Sequence, residues 1–424
     1  MKFIHTADLH FGQVLYQSYT RSDEHDCFFS QLKAWCAEYR PDALLFCGDI
    51  FDIQQPGANV KEAFTHKFVD LHDCCPEMKI IITAGNHDSA SRLQAESEVW
   101  RKIGVYIVGV PPASDAVHQE NGWQDRFIIT LENGYIAALP YMQGKRREVY
   151  QAVLDRINEL NTESKPVVMM AHLAVSGADI TGHGFEIGSV MTQELSELGS
   201  GYDYLALGHI HKPQTLGRES EWMEEKVVYP SGTARYSGSP LHVSCDEAFP
   251  HSISLVEIPF HNSEVSIRQL RIQQLRHFYT LPENGESLKC AEDGLSEVKK
   301  FSAGQGGYFR LVFEYGTPLP SNFTRQVYEI IAGKENIIRY NPKIIWTGAP
   351  QEQDTSEEKP RFEVADLQQM TDPLEFISET MDDYPELDPG MLADAFELVR
   401  REIAVMNEES ASKLRVLPNR KSEI

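Results

Sequence analysis

The 424 residues hold no Cys-x-x-Cys pair, no internal repeat, no low-complexity block and no apolar run near the ~20 residues of a membrane span. Without paired cysteine motifs, neither a disulfide framework nor a thiolate zinc site is expected. The seven cysteines, Cys27, Cys36, Cys47, Cys74, Cys75, Cys245 and Cys290, are odd in number and read as reduced, mostly buried thiols. The opening Met1–Ala7 carries no long apolar segment of the signal-peptide kind, so the expected location is cytoplasmic. Basic residues are also scarce: 39 Lys and Arg face 63 Asp and Glu, a formal charge of −24. Phosphate binding needs Lys and Arg, so global charge argues against nucleic acid. What is present is a 42% apolar content, enough for substantial cores, over a length fitting about two to three domains.

From residue 1 to about 270, short apolar runs alternate with helical patterns. The runs are Phe3–Ala7, Ala43–Cys47, Ile80–Ala84, Val105–Val108, Val167–Ala171 and Tyr204–Leu207. Each is short and ends at Gly, Asp or His, as a strand buried on both faces does. Two stripes at helical spacing lie between the first three: Phe28, Leu32, Trp35, Cys36 and then Val60, Phe64, Phe68, Leu71. This β-α-β-α-β order predicts an α/β domain. Further strands are expected at Val227–Tyr229, Ile253–Ile258 and Val265–Leu270. Residues 271–349 read as a small α+β unit, with strands at Tyr308–Tyr315, Ile337–Ile338 and Ile344–Trp346 and a helix at Ser321–Ala332. Polar residues 350–360 read as a linker. The remainder, 361–424, reads as a helical tail, with Asp372-Pro373 and Asp388-Pro389 as helix starts. Its second helix carries the stripe Leu392, Ala395, Val399, Ile403 and Met406.

Five polar motifs stand at the ends of five apolar runs. They are Asp8-Leu9-His10, Gly48-Asp49-Ile50-Phe51-Asp52, Gly85-Asn86-His87-Asp88, His172, and Gly208-His209-Ile210-His211. Each alone has a bland reading as a turn, a cap or a core histidine. Open α/β sheets gather ligands beyond the carboxyl ends of their strands, so all five can meet on one rim. In an extended His-x-His segment both imidazoles share a side. Carboxylate, imidazole and amide oxygen together suit Mn, Fe or Zn better than a thiolate-seeking metal. The residues therefore predict a metal site.

DLH, GDIFD, GNHD, the isolated His and GHIH, in this order, resemble the calcineurin-like metallophosphoesterases. The opening His5–Gly12, Gly208–Gln214 and Tyr236-Ser237-Gly238-Ser239-Pro240 narrow the likeness to that family's bacterial DNA-nuclease branch. The resemblance implies a four-layer αββα sandwich over 1–270, a capping DNA-recognition domain at 271–349, and a helical tail that binds an SbcC-type coiled-coil ATPase. It implies two divalent metal ions, manganese by family habit. Asp49 would bridge them; Asp8, His10 and His211 would complete one site, and Asn86, His172 and His209 the other. A water acidified by the metals would yield the hydroxide that attacks phosphorus. His87 would stabilise or protonate the leaving group, with Asp52 placed to orient it. The implied activity is double-strand exonuclease and hairpin endonuclease action on DNA in repair, recombination and replication. The implied assembly is a homodimer, to which the Val60–Leu71 stripe is a possible contributor, joined to the ATPase as a heterotetramer.

Two other readings compete. A phosphodiesterase or phosphatase acting on a non-DNA phosphate ester needs the same metal motifs, though not residues 271–424. A metal-free binding scaffold is disfavoured because every ligand position holds a competent side chain. Charge distribution tempers the global figure: residues 351–424 hold nineteen acids and eight bases, whereas 271–349 hold ten bases and eight acids. Within the latter, Lys299, Lys300, Arg310, Arg325, Lys334, Arg339 and Lys343 are candidate phosphate contacts.

Overall fold

A computed structural model describes residues 1–113, 122–144, 146–181, 192–218, 225–302 and 306–348. The expected linker and tail therefore lie outside the described residues. The apolar runs form the strands they predict, within a residue or two. β1 (Lys2–Thr6), β4 (Ala43–Cys47), β5 (Lys79–Thr83) and β6 (Val105–Val108) pair in parallel. Beyond β1 the sheet continues antiparallel through β14 (Ser252–Glu257), β15 (Val265–Arg271) and β12 (Val227–Tyr229), giving seven strands. A second sheet of six strands runs in the order β11 (Gln214–Thr215), β13 (Thr233–Tyr236), β10 (Tyr204–Gly208), β9 (Val167–His172), β8 (Gly134–Ala138), β7 (Ile128–Leu131). Between β1 and β4, β2 (Val14–Leu15) and β3 (Tyr19–Thr20) form a small antiparallel pair.

Strand alternation explains why two sheets stack. Successive side chains of β4 point to opposite faces. Leu44 and Phe46 join one core with Phe28 and Leu32 of α1 (Ser22–Tyr39) and Phe64 and Phe68 of α2 (Ala58–Cys74). Ala43, Leu45 and Cys47 join the other core, with Met169, Leu205 and Ala206 of the second sheet. That core also takes in Val149, Val153 and Ile157 of α5 (Arg147–Leu160), which packs on β8. Two short helices, α3 (Ala90–Gln94) and α4 (Ser97–Arg101), lie against β6. The layers are helix, sheet, sheet, helix, as the fold class expected. Phe68 is fully buried, and its truncation to alanine should cost about 3–5 kcal/mol. The Val60–Leu71 stripe packs within this core, with Phe64, Phe68 and Leu71 buried and Val60 half-buried beside them, so burial within one subunit accounts for its spacing. No helix among the described residues is long and apolar enough to cross a membrane.

Residues 277–347 build a third sheet with its own core of Val298, Phe309, Leu311, Phe313, Val327 and Tyr340. Its parallel strands are β16 (His277–Leu281), β17 (Gly307–Glu314), β18 (Ile338–Tyr340) and β19 (Ile345–Thr347), with helices α6 (Ala291–Lys300) and α7 (Phe323–Ala332). The unit is seated on the β2–β3 pair and the start of α1. Tyr308 donates its hydroxyl to Glu24 at 2.7 Å, and Arg276 pairs with Asp23. Arg339 donates to the Thr20 carbonyl at 3.0 Å, its guanidinium over the Tyr19 ring. Three of the sequence-based phosphate contacts are thus corrected. Arg339 is committed to this seat, Arg310 pairs with Asp246, and Lys334 donates to the carbonyls of Lys299 and Phe301.

Candidate metal centre

The loops after β1, β4, β5, β9 and β10 bring the five motifs to one rim, the carboxyl ends of parallel strands from both sheets. Three close approaches need glycine. A Cβ on Gly48 would stand 2.1 Å from His172 Nδ1, and one on Gly208 would stand 1.8 Å from the Cys47 carbonyl oxygen. Gly85 likewise leaves room for Asp49, since its Cβ would lie 2.1 Å from Oδ1. Asp8, His10, Asp49 and His209 all adopt positive φ, between 45° and 98°. Such conformations cost about 1–3 kcal/mol each and persist where the surroundings over-determine them. Asp88 supplies part of that frame: buried, it accepts the N–H groups of Ile50, Phe51 and Gly85, tying two of the loops together.

The donor atoms form two groups, each within 4.8 Å: Asp8, His10 and His211, and then Asp49, His172 and His209. Asn86 joins the second, its Oδ1 standing 3.0 Å from both His172 Nε2 and His209 Nδ1. His209 and His211 thus fall to different groups, as the family pattern implies. The segment between them is bent rather than extended, with φ of 98° at His209, which corrects the sequence picture of two imidazoles on one side.

Does this set fit a cation? His172 Nδ1 faces the Cys47 carbonyl at 2.9 Å, so it must donate there and leaves Nε2 with a lone pair. That lone pair points at Asn86 Oδ1 at 3.0 Å and Asp49 Oδ2 at 3.3 Å. Three acceptors converging on one spot repel unless a proton or a cation sits among them. Burial opposes charging His172, yet the Asp49 carboxylate overcomes it and pushes the imidazole up to about 9. Burial likewise raises Asp8 to about 6. His10 Nε2 is buried without a hydrogen-bond partner among the described residues, while its Nδ1 faces the Asp52 carboxylate at 3.3 Å. An orphaned nitrogen and desolvated carboxylates are what divalent cations would satisfy. The residues fit two ions.

His87 and Asp52 flank the first group. The His87 ring is 4.9 Å from that of His10, and the His87 backbone N–H donates to Asp49 Oδ1 at 2.8 Å. Asp52 does meet His87, but through its carbonyl oxygen, 2.9 Å from Nδ1. The Asp52 carboxylate turns instead to His10, 3.3 Å from Nδ1. Sequence reasoning missed Glu247, which accepts from His211 Nδ1 at 2.9 Å; no motif marks it. It also gave no role to the Tyr236–Pro240 motif. There Ser239 donates its N–H to the His211 carbonyl, and a Cβ on Gly238 would stand 2.4 Å from that oxygen.

A family model described as calcineurin-like phosphoesterase matches residues 1–213. The chain is 28% identical over 292 residues to SbcD of the SbcCD nuclease of Rhodobacter capsulatus, covering 61% of this chain and 66% of that one. Identity to SbcD of Bacillus subtilis is also 28%, over 279 residues and the same shares. The DNA double-strand break repair protein Mre11 of Aeropyrum pernix is 26% identical over 285 residues, covering 63% of this chain and 64% of that protein. The match thus spans slightly less than two thirds of these relatives' length.

Proposed function

The chain belongs to the calcineurin-like phosphoesterase family, and from that premise we propose that it is a dimetal-dependent DNA nuclease subunit of the SbcCD kind. In this reading it cuts double-stranded ends and hairpins during repair and recombination, together with an SbcC-type coiled-coil ATPase. The observation that carries the reading is the meeting of acceptors around His172 Nε2 beside the unpartnered Nε2 of His10, with His87 at the edge. The names of the relatives supply the substrate class and the partner.

Asp8, His10 and His211 would hold one ion, Asn86, His172 and His209 the other, and Asp49 both. Manganese suits this mixed nitrogen and oxygen set. When bound, the ions would supply Lewis acidity to the phosphodiester and to the attacking water. The chain does the rest. Cys47 and Glu247 fix the tautomers of His172 and His211, so that Nε2 of each carries the lone pair. The backbone of His87 braces Asp49, and the carbonyl of Asp52 holds the His87 ring by Nδ1. Because a carbonyl only accepts, Nδ1 keeps its proton, and His87 can donate from Nε2 only as imidazolium. Its role is to protonate or stabilise the departing sugar oxygen.

Residues 271–349 are proposed as the cap that positions duplex DNA, and 361–424 as the tail that grips the ATPase after the 350–360 linker. The apolar stripe Leu392–Met406 supports the latter. Seven free thiols support residence in the reducing cytoplasm.

The test compares kcat/KM of the full chain on an end-labelled duplex, a hairpin and bis(p-nitrophenyl) phosphate in Mn²⁺. A preference for DNA of several orders of magnitude, rising when the ATPase is added, is expected. Equal or better turnover of the small diester, indifferent to the ATPase, contradicts the nuclease reading and favours a non-DNA phosphate ester.

A further inference from the structure

Glu247 is outside the donor set yet only 2% exposed. Its Oε1 accepts from His211 Nδ1 at 2.9 Å and its Oε2 accepts the Val243 N–H at 2.9 Å. A carboxylate on the far nitrogen of a ligand imidazole fixes both its tautomer and its rotation. The same short loop is gripped from its other side by the 277–347 unit. Arg310 reaches the Asp246 carboxylate and, at 3.4 Å, the Cys245 sulfur. Asn341 Nδ2 also donates to that sulfur at 3.4 Å. Phe278 lies 5.1 Å from the His242 ring, whose Nδ1 donates to the Glu247 carbonyl oxygen at 3.0 Å. Asp246 and Glu247 are consecutive, so one peptide separates the grip of the cap from the group that orients His211.

His242, Glu247 and His251 lie close enough together to suggest a metal site of their own. Their hydrogen bonds are already taken, however. His251 Nδ1 donates to the Ser239 carbonyl at 2.7 Å, and its Nε2 stands 3.0 Å from His242 Nδ1, whose one proton lies between it and the Glu247 carbonyl oxygen. This trio is scaffolding around Glu247, and it stiffens the loop that Arg310 holds.

We propose that Cys245–Glu247 links the seating of the cap to the orientation of His211, with Glu247 the positioning residue and Arg310 its anchor. The proposal rests on the dimetal reading and adds a route of regulation to it. Anything that shifts the cap, a bound duplex included, alters the grip of the Asp8–His10–His211 group on its ion.

The test follows Mn²⁺ binding to the full chain by the electron paramagnetic resonance of free Mn²⁺, with an apo melting curve for each variant. Glu247→Ala should weaken one of two ions about 10–100-fold and leave the other alone. Glu247→Gln, which still offers an acceptor to Nδ1, should recover part of that loss. Arg310→Ala should weaken the same ion at least about threefold, a smaller effect than Glu247→Ala because the contact is one step removed. Pairing Arg310→Asp with Asp246→Arg should restore it. Should Arg310→Ala fail to fold, Asn341→Ala carries the same expectation. Two-ion binding unchanged in a folded Arg310→Ala or Asn341→Ala chain overturns the link alone. A wild-type chain that binds no Mn²⁺ overturns the dimetal reading and the link with it.

Discussion

The carbonyl oxygen of Asp52, not its carboxylate, holds the His87 ring, at 2.9 Å from Nδ1. A side-chain substitution at Asp52 therefore spares this contact and instead disturbs His10, which the carboxylate faces at 3.3 Å. Asp52→Asn should change metal affinity more than it changes turnover of the loaded protein. His87→Ala should do the reverse, keeping both ions and losing about 10²–10⁴ in kcat. Metal titrations beside single-turnover rates separate the two. Near-full turnover in His87→Ala would remove the leaving-group role.

Gly48 has φ of 83°, and a Cβ there would stand 2.1 Å from His172 Nδ1. Gly48→Ala should push His172 off the Cys47 carbonyl and so release the tautomer that points Nε2 into the site. The expected signature is a metal affinity lowered by at least about tenfold. Titration calorimetry on a chain shown to be folded by circular dichroism would read it. Wild-type affinity in Gly48→Ala would show that His172 is not fixed by that contact.

Much of this frame was legible because strands buried on both faces leave short apolar runs, and those ending at Asp8, Asp49, Asn86, His172 and His209 mark the rim directly. Helix α5, helix α6 and strands β7, β8 and β13 went unread, although α5 has an apolar stripe at Val149, Val153 and Ile157. Exposed residues between those positions dilute the pattern, no motif follows β7 or β8, and the Tyr236–Pro240 motif after β13 holds no metal-ligating side chain. Glu247 and Asp88 were illegible for another reason. Their roles depend on partners 36 to 38 residues away, and spacing along the chain does not encode them. Arg310 and Arg339 show the same limit, since a cation looks alike in sequence whether it awaits phosphate or holds a neighbouring domain.

Ions that bind only the folded chain stabilise it by mass action, about 2.7 kcal/mol for each site at a hundred times its Kd. Saturating Mn²⁺ should raise the melting temperature by several degrees, and a chelator should reverse the rise. Asp8→Asn together with Asp49→Asn should ignore Mn²⁺. Scanning calorimetry distinguishes this from an Mn²⁺-sensitive double variant, which would place the stabilising ions elsewhere.

The seat of the cap should weaken in acid. Burial alone would raise the Glu24 carboxyl, but Arg21, the Tyr308 hydroxyl and Arg276 hold it below its ordinary value. With a folded pKa below the unfolded one of about 4.3, its contribution is complete above that pH and is lost as pH falls through the folded value. Glu24→Gln should therefore destabilise by about 3–5 kcal/mol at pH 7, where it leaves Arg21 buried without its carboxylate. The gap between wild type and variant should narrow below about pH 4. Urea unfolding at the two pH values measures it, and a gap that widens in acid would contradict the ionised pairing.

The most direct test of the dimetal nuclease counts metal. The metal-free full chain, reconstituted with Mn²⁺, desalted and submitted to elemental analysis, should hold two ions. The Asp49→Ala variant, prepared alongside, should hold none at the same concentration, because this carboxylate is proposed to serve both sites. One ion or none in the wild type, or two in Asp49→Ala, would contradict the shared site on which the nuclease reading stands.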